Sequence, residues 1–125
     1  MSVTIDSNSY DEVHSVTICN KSDIKDDYVY PTVSFKASSS DNDYNIRIIN
    51  TTDNPSRVFA FSGLSVGEEL LIDNELRHIS SSLSGEKLSN FNKNWLRLKP
   101  GDNELQLQLT GSATITCPTY VTIGF

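Results

Sequence analysis

Leucine alternates with polar residues through Glu104-Leu105-Gln106-Leu107-Gln108-Leu109-Thr110. A strand with this period turns one face to a core and the other to water. Pro100-Gly101-Asp102-Asn103 precedes it. Proline presets the second position of a tight turn and glycine accepts positive φ at the third, so the chain is expected to turn sharply into this strand. Shorter runs of the same kind recur at Val13–Cys19, Tyr28–Ala37, Tyr44–Asn50, Arg57–Ser62, Glu68–Asp73, Arg77–Ser81, Trp95–Leu98, Ala113–Cys117 and Tyr120–Phe125. Most carry β-branched or aromatic residues between clusters of Gly, Pro, Ser, Asn and Asp, which marks strands between turns. The alternation assigns Val33, Phe35, Ile46, Ile48, Phe59, Phe61, Leu70, Ile72, Leu105, Leu107 and Leu109 to the core.

The runs are short and evenly spaced, with no long helical pattern between them. One short helix is expected near Gly85–Asn92, where the periodicity is poor. The pattern predicts an all-β chain, an antiparallel β-sandwich or jelly roll. Composition agrees: Ser, Thr and Asn are abundant and compete with helix hydrogen bonds, while the best helix former, Ala, is nearly absent. At 125 residues the chain is expected to form a single domain, 1–125, with residues 1–12 loosely attached. No repeat or linker divides it, and Ser38–Asp43 reads as a polar loop between strands.

Charge and hydropathy exclude several classes. The net charge of −6 repels a phosphate backbone, so no nucleic acid is expected as a partner. No apolar run is long enough to span a membrane, and no basic or apolar leader opens the chain. Two Cys and two His are too few for the usual zinc site. Cys19 and Cys117 are read as buried thiols of a protein made in a reducing cytoplasm, a bridge between terminal strands being the lesser alternative.

Candidate chemistry is sparse. Asp41-Asn42-Asp43-Tyr44-Asn45 opens like a calcium loop, but Ile46 stands where that loop needs glycine and no Glu fills its last position. The acidic run Asp23, Asp26, Asp27 also reads as solvated loop, so no metal and no cofactor is expected. The glycosylation patterns at Asn20-Lys21-Ser22 and Asn50-Thr51-Thr52 arise readily by chance in so Asn-, Ser- and Thr-rich a chain. His78 has Ser and acidic neighbours but no nucleophile motif, and Arg77 and Ile79 point to the face opposite it, which makes it a surface residue. No catalytic residue is assigned and no enzyme is expected. Aromatic rings are stronger candidates, because sugars stack on exposed Tyr and Trp. Tyr28, Tyr30, Tyr44 and Trp95, with Tyr10, are the candidate glycan platforms, although core packing is preferred for Trp95 between Leu96 and the turn at Pro100.

Four segments in order carry a resemblance. They are Tyr30-Pro31-Thr32-Val33-Ser34-Phe35, Tyr44-Asn45-Ile46-Arg47-Ile48-Ile49-Asn50-Thr51-Thr52, Ser65-Val66-Gly67-Glu68-Glu69-Leu70-Leu71-Ile72-Asp73, and Trp95-Leu96-Arg97-Leu98-Lys99-Pro100-Gly101-Asp102-Asn103-Glu104-Leu105. The series, spanning residues 28–125, resembles the C-terminal domain of phage distal tail proteins, which form the baseplate hub. The resemblance implies a galectin-like sandwich on the outside of a hub ring. It implies docking to other tail or baseplate proteins, including receptor-binding ones, at the tip of the virion tail after synthesis in the host cytoplasm. The ring-forming domain of that family has no room here, so the chain is expected to be an excised domain, monomeric or weakly associated, from a phage or prophage. Recognition of bacterial surface polysaccharide by a carbohydrate-binding module is the alternative.

Overall fold

The computed structural model describes residues 2–21, 28–38, 44–53, 57–83, 91–92, 94–117 and 121–124; the side chains of Tyr44 and of 121–124 lie outside the description. Ten strands are described: β1 (Ser2–Ser7), β2 (His14–Asn20), β3 (Thr32–Ala37), β4 (Tyr44–Asn50), β5 (Arg57–Ser62), β6 (Glu69–Asp73), β7 (His78–Ser81), β8 (Gly101–Leu109), β9 (Gly111–Thr116) and β10 (Val121–Gly124). They form two five-stranded antiparallel sheets, ordered β1-β9-β3-β6-β7 and β10-β2-β8-β4-β5. These pack as a sandwich. All eleven core residues expected from the alternation are buried between the sheets, joined by Val16, Ile18, Leu64, Leu96, Leu98 and Ile115.

Among the described strands only β4–β5 and β6–β7 are joined within one sheet; every other successive pair crosses the sandwich. The sharpest crossing is β8 to β9, with Thr110 alone between them. Thr110 donates its N–H to Asn45 O (3.1 Å) and accepts from Ser38 N (3.1 Å), which ties the corner to both sheets. Gly111 completes it at φ +142°, in a conformation open to glycine.

Several expectations are corrected. Residues 2–7 are not loose: β1 pairs with β9 along its whole length, from Ser2↔Thr116 to Ser7↔Gly111. Their partner is distant in sequence, so composition gave no sign of it. Trp95–Leu98 is not a strand, although Leu96 and Leu98 are buried as alternation requires. Most of its described backbone bonds go to side chains: Leu96 N–H to Asn74 Oδ1 (2.9 Å), Asn50 Nδ2 to Arg97 O (2.9 Å) and Arg57 Nε to Trp95 O (2.7 Å). Only Leu98 makes a bridge, to Val29. The helix expected near Gly85–Asn92 falls mostly outside the described residues, and Phe91 within it bridges Phe61 instead.

That bridge seals one edge of the sandwich. Phe91 stacks on Phe61 at 4.8 Å and meets Phe59 and Trp95 edge-on at 5.3 and 4.8 Å. Asn92 then mimics a strand beside β5: its N–H donates to Ala60 O, its Oδ1 accepts from Ala60 N, and its Nδ2 donates to Val58 O. Covering an edge in this way blocks unwanted strand pairing.

The β6–β7 turn carries Arg77 at φ 55°, the only non-glycine among the described residues with positive φ. A side chain there clashes with the backbone, whereas glycine does not. Arg77→Gly is therefore expected to raise stability by about 1 kcal/mol, less the entropy glycine adds to the unfolded chain. A urea titration checks this, and an unchanged or lower midpoint refutes it.

Candidate functional site

The outer face of the β1-β9-β3-β6-β7 sheet is built in three rungs by strand register. Thr4, Thr114, Ser34, Leu71 and Ser80 form the middle rung. Asp6, Ser112, Lys36 and Glu69 form one flank; Ser2, Thr116, Thr32, Asp73 and His78 form the other. Each strand alternates, so its inward residues fill the core and this set, polar except for the exposed Leu71, is left outside. Thr4 and Thr114 share a hydrogen bond of 2.9 Å between hydroxyls. Short side chains along β9 and β3 leave grooves between taller neighbours. One of about 390 Å³ lies at the Asp6–Lys36 end, and one of about 260 Å³ runs along Ser34, Glu69 and Thr114. Such a face offers hydroxyl donors and acceptors to a broad polar partner. His78 is exposed there, as expected, 3.2 Å from Ser80 Oγ, while Asp73 Oδ1 accepts from Leu76 N and so serves the turn.

Tyr10, Tyr28, Tyr30 and Trp95 are not among the residues of these rungs. Tyr28 and Tyr30 are half-buried around Arg97. The guanidinium lies 4.3 Å from the Tyr28 ring centroid and forms a bidentate pair with Asp53, at 2.7 and 3.1 Å. Asp53 is only 2% exposed, so this pair satisfies a carboxylate that burial alone would penalise. The hydrogen bond to Asp53, and a further one to Tyr30, hold the Arg97 pKa above its ordinary value. Trp95, half-buried against Phe91, leans on the core. Tyr10 lies between β1 and β2, its carbonyl accepting from Gln108 Nε2 at 3.2 Å. Tyr44 is in β4 but its side chain, like Asp41–Asp43 and Asp23–Asp27, lies outside the described residues. The structure thus gathers Tyr28 and Tyr30 around Arg97, whereas Tyr10 bonds Gln108. Reading the sequence for rings missed Arg97 and Asp53, whose partnership over 44 positions leaves no local signal.

Cys19 faces outward from β2, and Cys117 is buried just past β9; both are thiols and no bridge joins them. Burial pushes the Cys117 pKa up from 9.0 to about 11. The stability carried by its protonated form is complete below pH 9.0 and is lost as pH rises through about 11. Native alkylation by iodoacetamide at pH 8 is expected to label Cys117 at least about tenfold more slowly than Cys19, because both thiolate and access are suppressed. Peptide mass spectrometry reads this, and equal rates contradict it. Among the described residues no three His, Cys, Asp or Glu side chains converge as a metal site.

A family model described as a phage tail C-terminal domain matches residues 2–117. No curated protein and no solved structure matches the chain.

Proposed function

We propose that this chain, which belongs to the phage tail C-terminal domain family, serves as the outer domain of a distal tail protein in the baseplate hub. The observation that carries the tail role is the extent of the family match, residues 2–117. A structural role in the virion tail follows from the family. The hub position is our reading of the ordered motifs from Tyr30 to Leu105. The domain acts by shape rather than by catalysis. Its rigid sandwich presents the hydroxyl-lined sheet face to neighbouring tail proteins, and the sealed β5 edge directs contact away from that side. Its acidic charge suits a basic partner surface and disfavours acidic ones.

Glycan recognition is the second reading, supported by Tyr28 and Tyr30 remaining half exposed around Arg97. Immunogold labelling of virions with antibodies against the domain tests the first reading. Label at the tail tip supports it; label along the tail tube, or none on assembled particles, overturns it. Cosedimentation with host envelopes tests the second, which requires binding that soluble sugars compete away.

A further inference from the structure

Four of the five buried asparagines direct their amides at one short stretch of chain. Asn74 Oδ1 accepts from Leu96 N at 2.9 Å, Asn50 Nδ2 donates to Arg97 O at 2.9 Å, and Asn20 Nδ2 donates to Leu98 O at 3.3 Å. Asn103 bonds both Lys99 N and Lys99 O at 2.8 Å. Asn74 also donates to Pro31 O at 2.6 Å, and Val29 and Leu98 exchange both backbone bonds, at 3.0 and 2.7 Å. Residues 28–31 and 95–99 are thereby locked side by side as a two-stranded ribbon. Its anchors come from β2, β4 and β8 of one sheet and from the turn after β6 of the other, so the ribbon spans the gap between the sheets.

Val29, Leu96 and Leu98 fill the core, which turns Tyr28, Tyr30, Trp95, Arg97 and Lys99 outward, each half-buried. Register about the Val29↔Leu98 bridge sets Tyr30 beside Arg97 and Tyr28 beside Lys99. Arg57 joins at the far end, where its Nε donates to Trp95 O at 2.7 Å. Arg97 is paired with Asp53, but Lys99 and Arg57 form no ion pair among the described residues. The outward row from Trp95 to Lys99 is about 13 Å long at the usual extended rise, and the ribbon is about 10 Å wide.

We infer that this ribbon binds a neutral saccharide. The inference rests on the glycan reading above and gives it a site and a ligand class. Rings at both ends of the row offer their faces to the C–H faces of sugars, and the cationic heads between and beside them are donors only, which suits hydroxyl oxygens. The asparagine anchors hold the backbone in place beforehand, so little ordering is lost on binding. A patch of this size is far below the roughly 800 Å² that a protein partner covers, and it matches a few sugar rings. Charge then selects among saccharides. The ribbon with Arg57, Asp53 and the neighbouring segments 21–27, 73–77, 91–94 and 100–104 carries seven bases and eight acids. An acidic saccharide therefore gains no net attraction there and is repelled by a chain of net charge −6.

The probe is the host's surface polysaccharide, divided by anion exchange into neutral and acidic fractions. Trp95 is the chain's single tryptophan, so its fluorescence reports on the ribbon directly. The neutral fraction should shift that emission and compete away envelope binding, and the acidic fraction should do neither. Y28A and K99M should each weaken binding by about tenfold, whereas Y28F, which keeps the ring, should bind as the unaltered chain does. L71D, on the exposed outer face of the β1-β9-β3-β6-β7 sheet, should also bind normally. Circular dichroism checks each fold, and K99M, which removes only a charged tip, decides the matter if Y28A fails to fold. Competition by the acidic fraction, full binding by K99M, or loss of binding by L71D overturns the ribbon while the glycan reading stands. Envelope binding that no sugar fraction competes away removes both.

Discussion

Replacing Asn103 with alanine should lower the thermal midpoint by roughly 10–15 °C, the equivalent of about 3–4 kcal/mol in a domain of this size. Asn103 is fully buried in β8. Its amide oxygen accepts from Lys99 N at 2.8 Å and from Asn50 Nδ2 at 3.1 Å. Its amide nitrogen donates to Lys99 O at 2.8 Å, Gly101 O at 3.0 Å and Ile18 O at 3.3 Å. One side chain therefore closes the Pro100-Gly101 turn, joins it to β2, and links it through Asn50 to β4. Truncation leaves several buried polar groups without a partner, and each costs about 1–3 kcal/mol before any relaxation or entry of water. Asn103→Asp separates hydrogen bonding from packing. It keeps the volume and the acceptors but removes both donors and buries a charge, so it should be at least as damaging as alanine. A loss below about 1 kcal/mol for alanine, or a near-normal aspartate variant, would show that the turn stands without this hub.

Gly111→Ala should be comparably severe, at about 3 kcal/mol or more. A Cβ built at this position would collide with Lys36 O and lie 3.2 Å from Ala37 Cα. These are backbone atoms of β3, which pairs with β9, so relief requires the strands to part at the corner. Gly101 provides the contrast. It also has positive φ, at 93°, but open space surrounds its missing Cβ. Gly101→Ala should cost about 1–2 kcal/mol from backbone strain alone. Urea titrations of the two variants side by side decide the matter. A Gly101→Ala that is equal or worse would mean that φ, and not the close approach, governs both sites.

The core was legible because alternation is a local signal. Leu105, Leu107 and Leu109 point inward because their neighbours in sequence point outward, whatever the topology. The pairing of β1 with β9 was not legible, since Val3 meets Ile115 across 112 positions of sequence. Asparagine misled in a specific way. By composition it signals turns and loops, yet Asn20, Asn45, Asn50, Asn74 and Asn103 are buried. Each carries an amide that bonds a backbone group in a turn or irregular stretch of chain. Asn45 shows this plainly, its Oδ1 accepting from Leu64 N at 2.8 Å. Residue type pointed to turns and loops, whereas four of these asparagines lie within β2, β4 and β8 and all five are interior. Of the candidate site, the polar outer positions followed from alternation, whereas their assembly into rungs needed strand neighbours. The Tyr28–Arg97–Asp53 grouping needed the fold itself.

The repeated crossing of the chain between sheets bears on how the domain is made. β8 cannot settle between β2 and β4 without bringing the corner at Thr110, and hence β9, onto β3 and β1. Neither sheet has a complete set of strands from one continuous stretch of chain. Most ladders join residues far apart in sequence, so loop closure precedes any reward from pairing, and folding belongs on the slow side for its size, from milliseconds to seconds. Once formed, the sheets open together. Native-state hydrogen exchange should therefore find the slowest amides of β8 and β9 sharing one free energy of opening, so that the two layers behave as a single cooperative unit.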